Sequence, residues 1–476
     1  MEDKASWYQL ASLKMIFSGK KKQQDACLAN FDDPLYNEVF GINSKGCFMK
    51  KFFLIFIIAL SMGFPHAYGE EHRYIVKFKS NSKTKRTASP ITDAPKGHVI
   101  RSLKNGYVIN LNEALDIKSI LEDKEVESVE QDRLMHLIEP TSIIPVKSNI
   151  ENEEKIPNGV KRIKADTGDI YPEMTVAVID TGVDPNIPDI DVVLGINFIN
   201  SSKAQTDDNG HGTHVAGTIA AKINGRGVVG VAPGTKVIAL KVLDAKGSGW
   251  MSDIIAAIEW VTEHADQIDV VNMSLGDLGN GTFMHEAIQK SVNKGIVYVV
   301  AAGNSSMDIY GHNRNYFKGS NFFPASYPEV MTVSAMTDTD GKPGGNGPKS
   351  SYGELDDTLA WFSNFSTAVH PDNPVYSPGA GIDLAAPGVD ILSNAPGDKL
   401  MKMSGTSIAC PHAAGAVIRF ISEYGEEYME NGKKDAQFVY KIRQALIDLA
   451  QPQEEWNDNH DASDPDSNHE GLLQVP

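Results

Sequence analysis

Between residues 175 and 304 the chain alternates two kinds of segment. TVAVID (175–180), TKVIALKVL (235–243), IDVVNMSLG (268–276) and IVYVVAAGN (296–304) are largely apolar runs. HGTHVAGTIAA (211–221), MSDIIAAIEWVTEHA (251–265) and HEAIQKSVNKG (285–295) lie between them, and in the second Ile254, Ile255, Ile258 and Val261 share one helical face. An apolar run without polar alternation suits a strand buried on both faces, and helices between such strands supply the cover. The pattern predicts an α/β fold built on a mainly parallel sheet. In such sheets ligands bind beyond the carboxyl ends of the strands. TVAVI runs into Asp180 and YVVAAG into Asn304, which puts both polar residues on that edge.

The formal net charge of -18 opposes a nucleic-acid partner, which would need a basic face. Three cysteines, Cys27, Cys47 and Cys410, give no framework of paired disulfides. One apolar stretch stands out, MKKFFLIFIIALSMGFPHAYGEEH from Met49. Lys50 and Lys51 open it, Phe52 to Leu60 is the apolar run, and Ala67-Tyr68-Gly69 closes it as a small-x-small cleavage pattern. This reads as a secretory signal peptide over 49–69, with 1–48 an extension upstream of the true start. The apolar run falls short of the roughly 20 residues a membrane span needs. The mature chain is therefore expected to be secreted, extracellular or periplasmic, with no stable membrane span. An N-terminal anchor with a cytoplasmic extension is the alternative.

Residues 70–140 read as a small separate unit, with HRYIVKFK and GYVINL alternating as strands and a helix and strand after them. EPTSIIPVKSNIENEEKIP suits an exposed linker, taken as 141–155, and the main domain occupies 156–476. Residues 305–322 and 338–381 are rich in Gly, Asn, Asp, Pro and Ser and read as surface loops. The acidic end of the chain reads as a solvated loop with a short final strand.

A serine hydroxyl needs a base to act as a nucleophile, and the base needs an orienting carboxylate. Asp180 in VIDTGVD, His211 in GHGTH and Ser407 in SGTSIACPHAAG offer one of each. Small residues lead Ser407 into a helix, whose free N–H groups and dipole favour an oxyanion. Pro411 is tolerated in the first turns of that helix. The Asn304 side-chain amide is a candidate second oxyanion donor.

The motifs VIDTG, HGTHVAGT, AAGN and GTSIACPHAAG, in the order Asp, His, Asn, Ser, resemble the subtilisin-like serine proteases, the subtilases. The resemblance spans about 156–476, and residues 72–137 resemble that family's inhibitory propeptide. It implies a three-layer subtilisin-like fold preceded by a small α+β propeptide domain. The implied activity is that of a secreted serine endopeptidase, made as a zymogen that processes itself near 138–155. Protein or peptide substrates and the chain's own propeptide are the implied partners. His211 is the implied base, and His214, one turn on, is read as structural. A zinc reading of the pair fails, because the histidines are three apart and Gly212 stands where HExxH has glutamate.

The resemblance also matches Gly247, Ser248 and Gly249, and Ser274, Leu275 and Gly276, to two segments that bind the substrate backbone as added strands. It implies structural calcium, held by Glu154, Asp189 and Asn224 with the carbonyls of Lys222, Arg226 and Val228. Arg226 is a departure, a cation beside a cation site, accommodated if its side chain turns away. Cys410 and His412 are read as packing residues. The aromatic residues Tyr310, Tyr316, Phe317, Phe322 and Phe323 are read as shaping the specificity pocket. A different acyl-transfer activity, as an esterase or peptide ligase, and a catalytically dead scaffold are the rival readings; all triad members are present.

Overall fold

The computed structural model describes residues 72–79, 97–111, 117–147, 153–311, 321–456 and 465–475. The N-terminal extension, the expected signal peptide, Tyr316 and Phe317 lie outside the described residues, as does part of the acidic tail.

The first module comprises β1 (His72–Phe78), β2 (Gly97–Leu103), β3 (Gly106–Leu111), α1 (Ile117–Leu121) and β4 (Val126–Gln131). Its strands pair antiparallel in the order β2-β3-β1-β4. The period-two pattern of β1 divides its side chains between two destinations. Val76 and Phe78 join Ile109, Leu111, Ile120 and Val126 in the module's own core. Ile75, on the other face, joins the core of the larger unit.

The larger unit holds the expected sheet. Its strands are β8 (Thr175–Asp180), β9 (Asp191–Asn197), β11 (Lys236–Lys241), β13 (Val270–Met273), β15 (Val297–Ala301), β17 (Met331–Thr337), β18 (Thr358–Leu359) and β19 (Leu384–Pro387). The order is β18-β17-β15-β13-β8-β11-β9, with β19 also on β17. Every pairing is parallel except β17 with β18. All six residues of β8 are buried, as the apolar run required. Two helix pairs supply the cover. One is α3 (His211–Ala220) with α6 (Thr406–Tyr428), and the other is α4 (Met251–Glu263) with α5 (Thr282–Val292). The helix α7 (Ala436–Leu449) packs on α6.

The module docks on α4 and α5 through carboxylates that serve those helices. Asp132 accepts from Ser252 N at 2.9 Å, at the start of α4. Glu130 accepts from Thr282 N at 3.0 Å and Phe283 N at 2.9 Å, at the start of α5. First-turn N–H groups lack partners within a helix, so an outside carboxylate both bonds them and meets the dipole. Arg73 pairs with Asp132, and Arg101 pairs with Asp253 at 2.8 Å.

Residues 141–155, expected as an exposed linker, are partly built into sheets. β6 (Ser142–Val146) pairs antiparallel with β21 (Lys399–Ser404), which also pairs with β20 (Ile391–Ala395). β7 (Glu154–Lys155) pairs parallel with β10 (Gly227–Val228). The segment's polar composition hid this because its partners lie far along the chain. At the chain's end, where a short final strand is expected after the acidic loop, Leu472 and Leu473 are fully buried and Leu472 bridges to Ala385 and Gln451. Among the described residues, no helix is long and apolar enough to cross a membrane.

Candidate active site

Asp180 ends β8 and is fully buried. Its carboxylate meets His211 Nδ1 at 2.9 and 3.0 Å. His211 is the first residue of α3, and the start of that helix is tied down from outside. Asp207 accepts from Thr213 N at 2.9 Å and Gly210 N at 2.8 Å, and from the hydroxyls of Thr181 and Thr213. Gly212 N donates to Thr181 Oγ1 at 3.0 Å. A methyl group at Gly212 would collide with the Gly182 carbonyl, so glycine is what lets α3 approach β8 this closely. With Nδ1 donating to Asp180, His211 Nε2 is left free to take a proton. Asp207 was missed from sequence; an Asp preceding a helix start was the available signal.

Ser407 is the second residue of α6 and is fully buried. Its Oγ and His211 Nε2 are both buried polar atoms without a hydrogen-bond partner. Behind it, Ser274 Oγ donates to the Ser407 carbonyl at 2.9 Å, and Asn272 Nδ2 donates to Ser274 Oγ at 3.0 Å. Asn304 follows β15. Its Oδ1 accepts from Thr406 N and Thr406 Oγ1, each at 2.8 Å. These donors fix the amide's orientation, so its Nδ2 is the atom that donates to Glu139 O at 2.9 Å. Thr406 Oγ1 in turn accepts from Gly303 N at 2.9 Å. The sequence reading missed Thr406, whose partner stands 102 positions away.

Glu139 belongs to a segment threaded through this centre. β5 (Leu134–Leu137) is the middle strand between β12 (Ser248–Trp250) and β14 (Leu275–Leu278), antiparallel to both. Leu137 N donates to Gly247 O at 2.7 Å and Ile138 N to Ser274 O at 3.2 Å. Beyond Pro140, Thr141 N donates to Ser404 O at 2.7 Å and β6 begins. The two glycine-containing segments therefore do hold an extended peptide, and here that peptide is the chain itself. Met135, Leu137 and Ile138 are buried, while Glu139 is exposed. The Phe322 ring lies against Gly276 and Gly303, closing space beside that peptide. Tyr310 and Phe323 are buried.

The remaining polar residues near the centre make structural hydrogen bonds, although His214 Nδ1 and His412 Nε2 are buried without a partner. His214 Nε2 donates to Ile391 O at 3.0 Å, and burial pushes its pKa down to about 3, which leaves it neutral. His412 bonds to Ile408 O at 3.0 Å and burial lowers its pKa to about 4. Cys410 is buried against Asn272, and burial raises its thiol pKa, so it is held as the thiol.

The expected calcium ligands also gather. Asp189, 1% exposed, accepts from Asn224 Nδ2 at 3.0 Å and Val228 N at 3.2 Å. Lys222 N donates to Asp189 O at 2.9 Å. Glu154 accepts from Asn224 N at 2.6 Å and Gly225 N at 2.8 Å. The Arg226 guanidinium turns to Asp398 at 2.5 Å, although its charge still acts on Asp189. The Glu154 and Asp189 carboxylates, from two separate segments, thus meet the 222–228 loop, and carboxylate and carboxamide oxygens are the donors a hard cation such as Ca²⁺ takes. A separate acidic group, Asp338, Asp340 and Asp356, lies in the loop after β17.

Comparisons with known proteins give the chain's family. The model of the subtilase family matches residues 172–470. Subtilisin amylosacchariticus of Bacillus subtilis subsp. amylosacchariticus is 34% identical over 389 residues, covering 78% of this chain and 86% of that protein. Subtilisin E of Bacillus subtilis (strain 168) matches to the same extent. Among solved structures, fervidolysin from Fervidobacterium pennivorans, described as a keratinolytic enzyme related to subtilisin, aligns with a TM-score of 0.63 at 26% identity. That alignment covers 87% of this chain and 61% of the fervidolysin chain. With family model, relatives and fold in accord, the chain belongs to the subtilase family and is a subtilisin-like serine endopeptidase.

Proposed function

We propose that this protein is a secreted endopeptidase made as a zymogen, in which residues 70–140 are an inhibitory propeptide. In this reading Ser407 attacks the peptide carbonyl. His211 Nε2 takes the serine proton and later gives it to the leaving amine, while Asp180 holds the imidazole in the required tautomer. Asn304 Nδ2 and the Ser407 N–H stabilise the oxyanion. Gly247 to Gly249 and Ser274 to Gly276 bind substrate as an added strand. The unpartnered His211 Nε2 and Ser407 Oγ match this assignment, since such bonds often tighten only when substrate is engaged. Calcium, where bound, supplies structural cross-linking through Glu154, Asp189, Asn224 and the carbonyls of Lys222, Arg226 and Val228. The signal peptide starting at Met49 directs export.

The observation that carries the proposal is the threading of residues 134–142 through the cleft, with the Glu139 carbonyl on Asn304. In this reading the maturation point, expected anywhere from 138 to 155, is a bond within 138–140, supported by the Glu139 carbonyl on Asn304. Intact mass of the chain expressed from Met49 tests this. Wild type is expected to lose its N-terminal module at that junction, and Ser407→Ala is expected to keep it. Equal loss in both would refute self-processing. Retention in both, with no cleavage of casein, would refute the peptidase roles given to these residues.

A further inference from the structure

The segment beyond the catalytic centre meets a residue that none of the family motifs contains. Tyr352 lies in the long loop between β17 and β18, and its Oη donates to Thr141 Oγ1 at 2.8 Å. Thr141 Oγ1 in turn donates to Ser404 O at 3.2 Å, and Thr141 N donates to the same oxygen at 2.7 Å. Thr141 is the second residue past the carbonyl held by Asn304. Its hydroxyl is thus both acceptor and donor, between a phenol on one side and a backbone carbonyl on the other. Serine and threonine satisfy both ends at once. Valine has the shape of threonine but leaves the phenol and the carbonyl without that link.

Tyr352 is held in place. Ser351 N and Oγ donate to the two oxygens of Asp390 at 2.8 and 2.6 Å. Glu354 accepts from Trp361 N at 2.9 Å and Thr337 Oγ1 at 3.1 Å, pinning the loop to the sheet. Trp361 packs edge-on to the Tyr352 ring, with centroids 6.4 Å apart. The tyrosine is half-buried, and Trp361 against its ring limits where the phenol points.

We propose that Tyr352 is a specificity residue on the leaving-group side of the cleft, selecting peptides with serine or threonine at the position of Thr141. The proposal rests on the peptidase reading above. A site built to bond a hydroxyl discriminates because the analogue lacking it leaves polar groups unpaired.

The test uses matured enzyme and quenched fluorescent peptides spanning residues 133–147, with Thr, Ser or Val at position 141 and the cut located by mass. Wild type is expected to favour Thr over Val about tenfold in kcat/KM, with Ser close to Thr. In Tyr352→Phe the Thr-to-Val ratio is expected to fall to about threefold or less. An equal ratio in the two enzymes overturns the proposal, as does a wild type indifferent to Val. Should wild type cleave none of the peptides, nor casein, the peptidase reading fails first and the subsite falls with it.

Discussion

Thr406→Val isolates a positioning effect at the proposed oxyanion site. The threonine hydroxyl donates to Asn304 Oδ1 at 2.8 Å and accepts from Gly303 N at 2.9 Å. Valine keeps the shape and removes both bonds, while the Thr406 backbone N–H still holds Asn304 Oδ1 at 2.8 Å. Complete loss of an oxyanion donor costs roughly 3–4 kcal/mol. Loss of one of two orienting bonds leaves the amide present but looser, so about 1–2 kcal/mol is expected, or about 5- to 30-fold in kcat. KM should change little, because in its proposed role Asn304 engages charge that develops in the transition state. The Gly303 N–H left unbonded adds a stability cost of about 1–3 kcal/mol, to be measured separately by thermal unfolding. Steady-state kinetics on a chromogenic peptide reads the split between kcat and KM, and Thr406→Ser should restore most of the rate. A Thr406→Val enzyme with wild-type kcat would refute the reasoning. So would a Thr406→Ser enzyme as slow as Thr406→Val, since serine keeps the hydroxyl.

Two further expectations concern pH and calcium. Burial pushes the Asp253 carboxyl up to about 6 in spite of Arg101 and Arg73, so the folded state holds its proton more tightly than the unfolded chain. The resulting stability is present in full below about pH 4 and is lost as pH rises through about 6, up to about 3 kcal/mol before neighbours compensate. In Ser407→Ala precursor, the Asp253→Asn change should therefore flatten the fall in Tm between those values; parallel Tm profiles would count against it. Chelation should lower the Tm of wild type through a loss of stability that grows with the free calcium removed, about 2.7 kcal/mol of unfolding free energy at a hundredfold excess over Kd. Asp189→Ala should abolish that dependence on calcium; a wild type indifferent to chelator would remove calcium from the reading.

The arrangement of the sheet was legible because burial on both faces leaves a local signature. TVAVID has no polar alternation to spend on a solvated side, and all six residues are buried in β8. Asp180, His211, Asn304 and Ser407 were legible for a related reason. Each sits where a strand or helix ends, and the small residues that permit close approach there, such as Gly212, stand beside it in the sequence. What the chain's order could not show is which distant polar groups would share a hydrogen bond. Asp207 could be read as polar loop, yet it closes the start of α3. Thr406 could be read as filler before the serine, yet it orients Asn304.

The sequence by itself determined the chemistry on offer and the layers that carry it, since periodicity and local geometry act between neighbours. Only the tertiary structure decided what fills the cleft. Leu134 to Leu137 ends a stretch whose sequence suggests a strand, but nothing local says what that strand would pair with. It pairs in the cleft because two edges, around Ser248 and Leu275, present unpaired backbone groups that an extended chain can satisfy. The same long-range fit brings Tyr352 to Thr141 across a separation of 211 residues, which no local pattern encodes.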